Sequence, residues 1–191
     1  MGHRASSGLT AHYRAVQASV NPMLQYIIPM LILTGARKRE VLDAKWEEFD
    51  LERKQWRISI TKAGKPRYVP LSDGVLQMLA SMPHDDSPWI FPNYKTRKPY
   101  VSIFYSWITG RKQAGLAEVR IHDLRHSFAS FLVNAGRSLY EVQKILGHTQ
   151  IKTTQRYAHL SQDTLLDAAN VVPFVLAMPM VTPVPLALAS V

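Results

Sequence analysis

The sequence has no cysteine. That excludes disulfides, thiolate catalysis and cysteine-based zinc sites, and it suits a reducing compartment. Acidic residues are few, 14 Asp and Glu against 23 Lys and Arg, and no cluster of them is suited to holding metal ions. The residues that follow Met1 (Gly2, His3, Arg4) lack the apolar run of a secretory signal. No internal repeat is visible. Charge is missing altogether from residues 171–191, a 21-residue stretch long enough to cross a bilayer. Pro173, Pro179, Pro183 and Pro185 interrupt it, so docking on the chain's own body or on a neighbouring protomer is expected, and no membrane partner.

What is present fits one globular domain. The chain has 191 residues, 47% of them hydrophobic, which is enough for a real core. A net charge of +9 and a pI near 9.9 suggest a polyanionic partner, with nucleic acid first.

The pattern is mostly helical. Asn21-Pro22 predicts a helix start, with Asn as N-cap and Pro at the first helical position, followed by the apolar run Met23 to Leu33 and a stop at Gly35. Pro29 is expected to kink that run. A second short helix is expected from Arg37 to about Lys45. The period then changes: Trp56, Ile58 and Ile60 alternate with Arg57, Ser59 and Thr61, as in a strand. Arg67 to Leu71 reads as its partner, Lys62 to Lys65 as the turn, and Trp46 to Leu51 as a third strand. Ser72 to Met82 is helical, and Pro83 to Pro99 is a loop. Val101, Phe104, Tyr105 and Ile108 fall on one helix face, and Leu124, Phe128, Phe131 and Leu132 on another that ends at Gly136. Ser138 with Glu141 reads as a capping box for a helix burying Val142, Ile145 and Leu146, and stopping at Gly147. A last helix is expected to carry Tyr157. The fold class is therefore α+β, mostly α-helical with a small antiparallel three-stranded sheet. Residues 1–20 are read as a linker remnant or leading helix, 21–170 as the functional domain and 171–191 as an apolar Pro-rich tail.

Chemistry concentrates at six positions. Arg37 lies in Thr34-Gly35-Ala36-Arg37-Lys38-Arg39-Glu40, and Lys62 at the hairpin tip. His122 and Arg125 lie in His122-Asp123-Leu124-Arg125. His148 follows Gly147, 23 positions after Arg125, and Tyr157 comes nine positions later. These are the parts needed to move a phosphodiester onto a protein hydroxyl without metal. The transition state gathers charge on the non-bridging oxygens, and positioned cations stabilise it. Arginine stays charged, and its planar fork donates two hydrogen bonds to phosphate, so Arg37 and Arg125 suit a clamp. His122, three residues before Arg125, faces the same way on a helix and can accept the nucleophile's proton or donate to the phosphate. His148 suits a hydrogen bond to the phosphate. The Lys62 ammonium can protonate the departing 5′ oxygen. Tyr157 is the expected nucleophile. A phenol titrates at about pH 10, so neighbouring guanidiniums are expected to lower that value and a histidine to take the proton. Each residue alone is weak evidence, since a tyrosine on a helix is commonly packing. Order and spacing together carry the reading.

In that order and spacing the residues resemble the catalytic set of the tyrosine recombinase (phage integrase) family, over about Asn21 to Ala169. The flanking runs are similar too: Leu31 to Arg37, Val69-Pro70-Leu71, His122 to Ala129, Leu146-Gly147-His148 and Thr153 to Leu160. The resemblance implies a mostly helical catalytic domain with the sheet at one edge. It also implies a 3′-phosphotyrosyl intermediate, strand exchange through a Holliday junction, and no metal or cofactor. The implied partner is double-stranded DNA, bound by a tetramer on paired sites, with a monomer in isolation and a cytoplasmic, nucleoid-associated location. Lys38, Arg39, Lys65, Arg67 and Arg156 are candidate contacts to the DNA backbone. Members normally carry a separate N-terminal clamp domain, which does not fit in 20 residues. The chain is thus expected to be a catalytic fragment or a truncated gene, and to bind DNA weakly alone. Three other readings stay open. Ser138 to His159 can pass for a helix-turn-helix of a non-catalytic DNA-binding module. The domain can be an inactive integrase remnant, or a type IB topoisomerase-like relaxing enzyme using the same groups.

Overall fold

The computed structural model describes residues 21–59, 66–150 and 152–158. Helix α1 spans Leu24–Thr34 and is apolar on most sides because the helices Lys38–Leu42, Asp73–Ser81 and Ile121–Asn134 all pack against it. Asn21 caps the turn before the helix rather than the helix itself: its Oδ1 accepts the Met23 N–H at 3.0 Å, and Met23 is the N-cap. Pro29 sits inside α1 without ending it, and Gly35, in the left-handed region, does end it. Helix α2, Lys38–Leu42, is shorter than expected. Ala44 and Lys45 leave it to pair with the proline-rich loop, where the Ile90 N–H donates to the Ala44 carbonyl at 2.9 Å and Lys45 bridges Trp89.

A 3₁₀ turn at Trp46–Glu48 leads into the sheet β1 (Phe49–Asp50), β2 (Gln55–Ile58) and β3 (Arg67–Pro70), antiparallel in that order. The third strand is only two residues long because the turn takes Trp46 to Glu48. Trp56 lies opposite Phe49 and Val69, and Trp56, Ile58 and Val69 point inward while Arg57 and Tyr68 face solvent. Ile60 and the Lys62–Lys65 turn lie outside the described residues, as does the tail 171–191.

Helix α3 covers Asp73–Ser81 and α4 Phe104–Gln113. The apolar stripe expected on α4 is the wrong one. Val101, Phe104 and Tyr105 are exposed, and the helix buries Ile103, Trp107 and Gly110. Both stripes have helical spacing and differ by one residue, and the bulk of Trp107 decides between them. Helix α5, Ile121–Asn134, is also rotated from expectation: it buries Leu124, Arg125, Ala129 and Val133, and leaves Phe131 partly exposed. A periodicity of apolar residues cannot show that an arginine belongs to the inward face. Helix α6, Leu139–Leu146, begins with the expected box, in which the Ser138 Oγ accepts the Glu141 N–H at 3.2 Å and the Glu141 Oε2 accepts the Ser138 N–H at 2.8 Å. Its buried residues are Val142 and Leu146, with Ile145 half-buried. Helix α7 is a short turn, Lys152–Gln155, and Tyr157 lies beyond it rather than on it.

The main core joins α1 to α4, the sheet and the start of α5. A smaller cluster between α5 and α6 holds Ala129, Val133, Val142, Leu146 and the ring of Tyr157.

Candidate active site

The site is organised by the C-terminus of α6. The last carbonyls of a helix have no partner within it, and the helix dipole places partial negative charge there. Three consecutive carbonyls at this end each receive one guanidinium: Ile145 from Arg67 Nη1, Leu146 from Arg125 Nη2 at 2.6 Å, and Gly147 from Arg37 Nη2 at 3.3 Å. Arg125 also donates through Nη1 to the Gly35 carbonyl at the end of α1. One buried arginine thereby ties two helix ends together, at 5% exposure.

Glu40 holds the other two. Its carboxylate accepts from Arg37 Nη1 at 2.8 Å, from the Arg37 backbone N–H at 2.7 Å and from Arg67 Nη2 at 2.6 Å. Burial works to raise the Glu40 pKa. The Arg67 charge and the hydrogen bonds from Arg37 and Arg67 outweigh it, so the carboxyl titrates below its ordinary range. Burial, and then the like charges of Arg37 and Arg67, bring Arg125 down to about 10, which leaves it protonated at neutral pH.

Arg37, Lys38, His122 and Arg125 line one cleft of about 190 Å³, against about 30 Å³ for a water molecule's share of the liquid. His148 lines a larger groove with Tyr140, Lys144 and Arg67. Its Nδ1 is 2.8 Å from the Thr154 Oγ1, which leaves Nε2 for a ligand. Burial and then the charges of Arg125 and Arg37 lower its pKa to about 4. The ring is therefore neutral at pH 7, and when the Thr154 hydroxyl donates to Nδ1 the ring carries its proton on Nε2.

Tyr157 is 6% exposed. Its hydroxyl is 2.5 Å from the His126 Nδ1, and the His126 ring is edge-on to His122 at 4.8 Å between centroids. The phenol thus meets His126 rather than His122. Its pKa is raised: burial outweighs the opposing charges of Arg156 and Arg125, against the lowering expected from guanidiniums. Burial first, then Arg125, lowers the pKa of His122.

The structure brings Arg37, Arg125 and His122 together, with His148 and Tyr157 on the flanks. Lys62 and Lys65 lie outside the described residues. Among the expected backbone contacts, Lys38 and Arg156 are exposed. Arg39 is exposed too, but its guanidinium is tied to Asp43 and to the Tyr100 carbonyl at 2.9 Å. Arg67 is a correction: its side chain is 9% exposed and committed to Glu40 and Ile145, so it braces the site from inside. Sequence reasoning gave no role to His126 or Thr154. His126 lies four residues after His122, hence on the same helix face, and that was the available signal.

The sequence profile of the phage integrase family matches residues 4–164. The integrase of Salmonella phage P22 is 30% identical over 162 residues, covering 77% of this chain and 42% of that protein. A tyrosine recombinase of Thermosipho africanus is 32% identical over 147 residues, covering 75% of this chain and 52% of the relative. The chain thus spans about half the length of the curated relatives it matches. The catalytic domain of bacteriophage HP1 integrase superposes with a TM-score of 0.70 at 26% identity, covering 88% of this chain and 93% of that one. With its profile match over most of its length, this chain belongs to the phage integrase family.

Proposed function

We propose that the chain is the catalytic domain of a site-specific DNA recombinase, spanning residues 21–170, that cleaves and rejoins duplex DNA without metal or cofactor. The observation that carries this reading is the clustering of Arg37, Arg125 and His122 around one cleft, with the hydroxyl of Tyr157 one imidazole away. In this reading the two arginines clamp the non-bridging oxygens, and the His148 Nε2–H donates to one of them. The Tyr157 oxygen attacks phosphorus as a histidine takes its proton, and the 5′ oxygen departs with a proton from Lys62. The phosphotyrosyl ester keeps the energy of the phosphodiester, so rejoining needs no ATP. Lys38 and Arg156, exposed and basic, suit phosphate contacts, which position DNA without reading its sequence. The active form is a tetramer on paired DNA sites, assembled from monomers, and residues 171–191 dock on a neighbouring protomer.

The test is covalent trapping. The chain, with the sequence its gene encodes on either side, is incubated with nicked duplexes from the gene's own flanks. A protein–DNA adduct that survives SDS and disappears in Tyr157→Phe is expected. Salt-sensitive binding with no adduct would instead point to a non-catalytic module.

A further inference from the structure

Among the described residues, Tyr157 meets one titratable side chain through its hydroxyl, and that side chain is absent from the six-residue set read from the sequence. His126 lies on the second turn of α5, directly after Arg125. Its Nδ1 is 2.5 Å from the phenolic oxygen, while His122, the histidine expected to serve, packs edge-on against the His126 ring and lines the cleft. We propose that His126 is the proton acceptor for Tyr157 in strand cleavage, and returns that proton to the tyrosine in rejoining. The inference rests on the reading of Tyr157 as the nucleophile.

The step balances. As the Tyr157 oxygen bonds to phosphorus, the phenolic proton passes to the His126 Nδ1. The bond from phosphorus to the 5′ oxygen breaks, its electron pair stays on that oxygen, and a separate acid protonates it. In reverse, the 5′ hydroxyl gives its proton back to the conjugate base of that acid as it attacks phosphorus, and the departing phenoxide recovers the proton from His126. His122 is then free to donate to the phosphate from the cleft, which divides between two histidines the roles otherwise assigned to one.

The surroundings support a base that waits for its substrate. His126 faces His122, Asp123 and Arg125 on its own helix, and Tyr157 and Arg156 on the segment packed against it. Burial first, then His122 and Arg156, hold its pKa below the ordinary imidazole range, with Asp123 opposing. The ring is neutral at pH 7 and available to accept the phenolic O–H. In the absence of DNA the phenol is held protonated by burial, so it does not react idly. A phosphodiester in the cleft adds negative charge beside these cations, which strengthens His126 as a base and favours proton transfer only when there is a bond to break.

The experiment is single-turnover cleavage of a nicked duplex from pH 5 to 10, with the natural flanking sequence present. His126→Ala is expected to slow cleavage at pH 7 on the order of 10²–10⁴-fold, the usual loss of a general base. The deficit should narrow as pH approaches that of the phenol itself, because solvent then removes the proton. His126→Asn places an amide oxygen near the Nδ1 position and accepts the same hydrogen bond, but holds no proton; it should bind DNA normally and stay slow. A wild-type rate for His126→Ala or His126→Asn at pH 7, or a deficit constant across pH, would overturn the proposal. In the DNA-free protein the ring nitrogen resonances of His126 should shift in Tyr157→Phe, and unchanged signals would also overturn it. Adduct formation that survives Tyr157→Phe would sink the nucleophile reading itself. Adduct lost in Tyr157→Phe with unimpaired His126 variants would sink only this inference.

Discussion

Gly147 is where backbone, charge and chemistry meet, and Gly147→Ala tests whether they are coupled. Gly147 has φ of 65°, where an L residue with a Cβ costs roughly 1–2 kcal/mol. A Cβ there would stand 2.5 Å from the Arg67 Cδ and 3.0 Å from its Nε. Arg67 cannot swing away freely, since it is held by Glu40 and the Ile145 carbonyl inside the protein. Displacing it forfeits at least one hydrogen bond to a charged group, about 1.5–3 kcal/mol. The total is about 2.5–5 kcal/mol, a large part of the ~5–15 kcal/mol that keeps a domain folded. Gly136 supplies the control. Its φ is 77° and no described residue lies within 4 Å of its Cβ position, so Gly136→Ala should cost only the backbone share, roughly 1–2 kcal/mol. Urea denaturation at equal m-values measures both. In an Arg67→Ala background the cost of Gly147→Ala should fall to that of Gly136→Ala. Equal costs for the two glycines in the wild-type background would refute the argument that Arg67 fills the space beside Gly147.

Glu40→Gln leaves Arg67 charged and buried with a neutral partner, and should destabilise by roughly 3–5 kcal/mol in the same assay; a loss under about 1 kcal/mol would mean that solvent already screens the pair. Arg125→Lys keeps the charge but loses the fork, so adduct formation should fall on the order of 10²–10³-fold while the salt dependence of DNA binding changes little. The pH dependence of stability has a definite sign. His148 titrates at about 4 in the folded chain against about 6.5 unfolded, so between these values the unfolded chain binds more protons, and stability present above pH 6.5 is lost as pH falls toward 4. The lowered His122, His126 and Glu40 act in the same direction, and His148→Gln should flatten part of the fall in Tm between pH 7 and 5.

The parts of the fold that were legible depend on local rules. The Ser138–Glu141 box, the stops at Gly35 and Gly147 and the alternation around Trp56 each rest on a few neighbouring residues, and each is in place. What was not legible depends on partners far along the chain. Lys45 leaves its helix for Trp89, which is 44 residues away. The α4 stripe turns on which of two overlapping patterns meets the core. Arg67 reads from sequence as a DNA backbone contact because charge normally seeks the surface, yet it finds a carboxylate and a helix end inside. The sign of the Tyr157 shift was missed for a related reason. Proximity of guanidiniums can be inferred from sequence order, but burial cannot, and burial is the larger effect.

The arrangement of arginines also explains how a site with so little opposing charge can exist before its substrate arrives. Three guanidiniums crowd one helix end, and among the described residues Glu40 is the carboxylate hydrogen-bonded to two of them. The carbonyls of Gly35, Leu146 and Gly147 complete the balance as fixed dipoles rather than charges, so the cluster is anchored without being neutralised. An arginine has about five N–H donors in a rigid plane. Arg125 uses two of them on carbonyls while it lines the cleft, so its plane is fixed before the phosphate of the proposed reaction enters. Anchoring and phosphate binding therefore do not compete. A lysine, with its donors on one rotating head, cannot divide the work in this way, and Arg125→Lys separates the need for a charge from the need for an oriented fork.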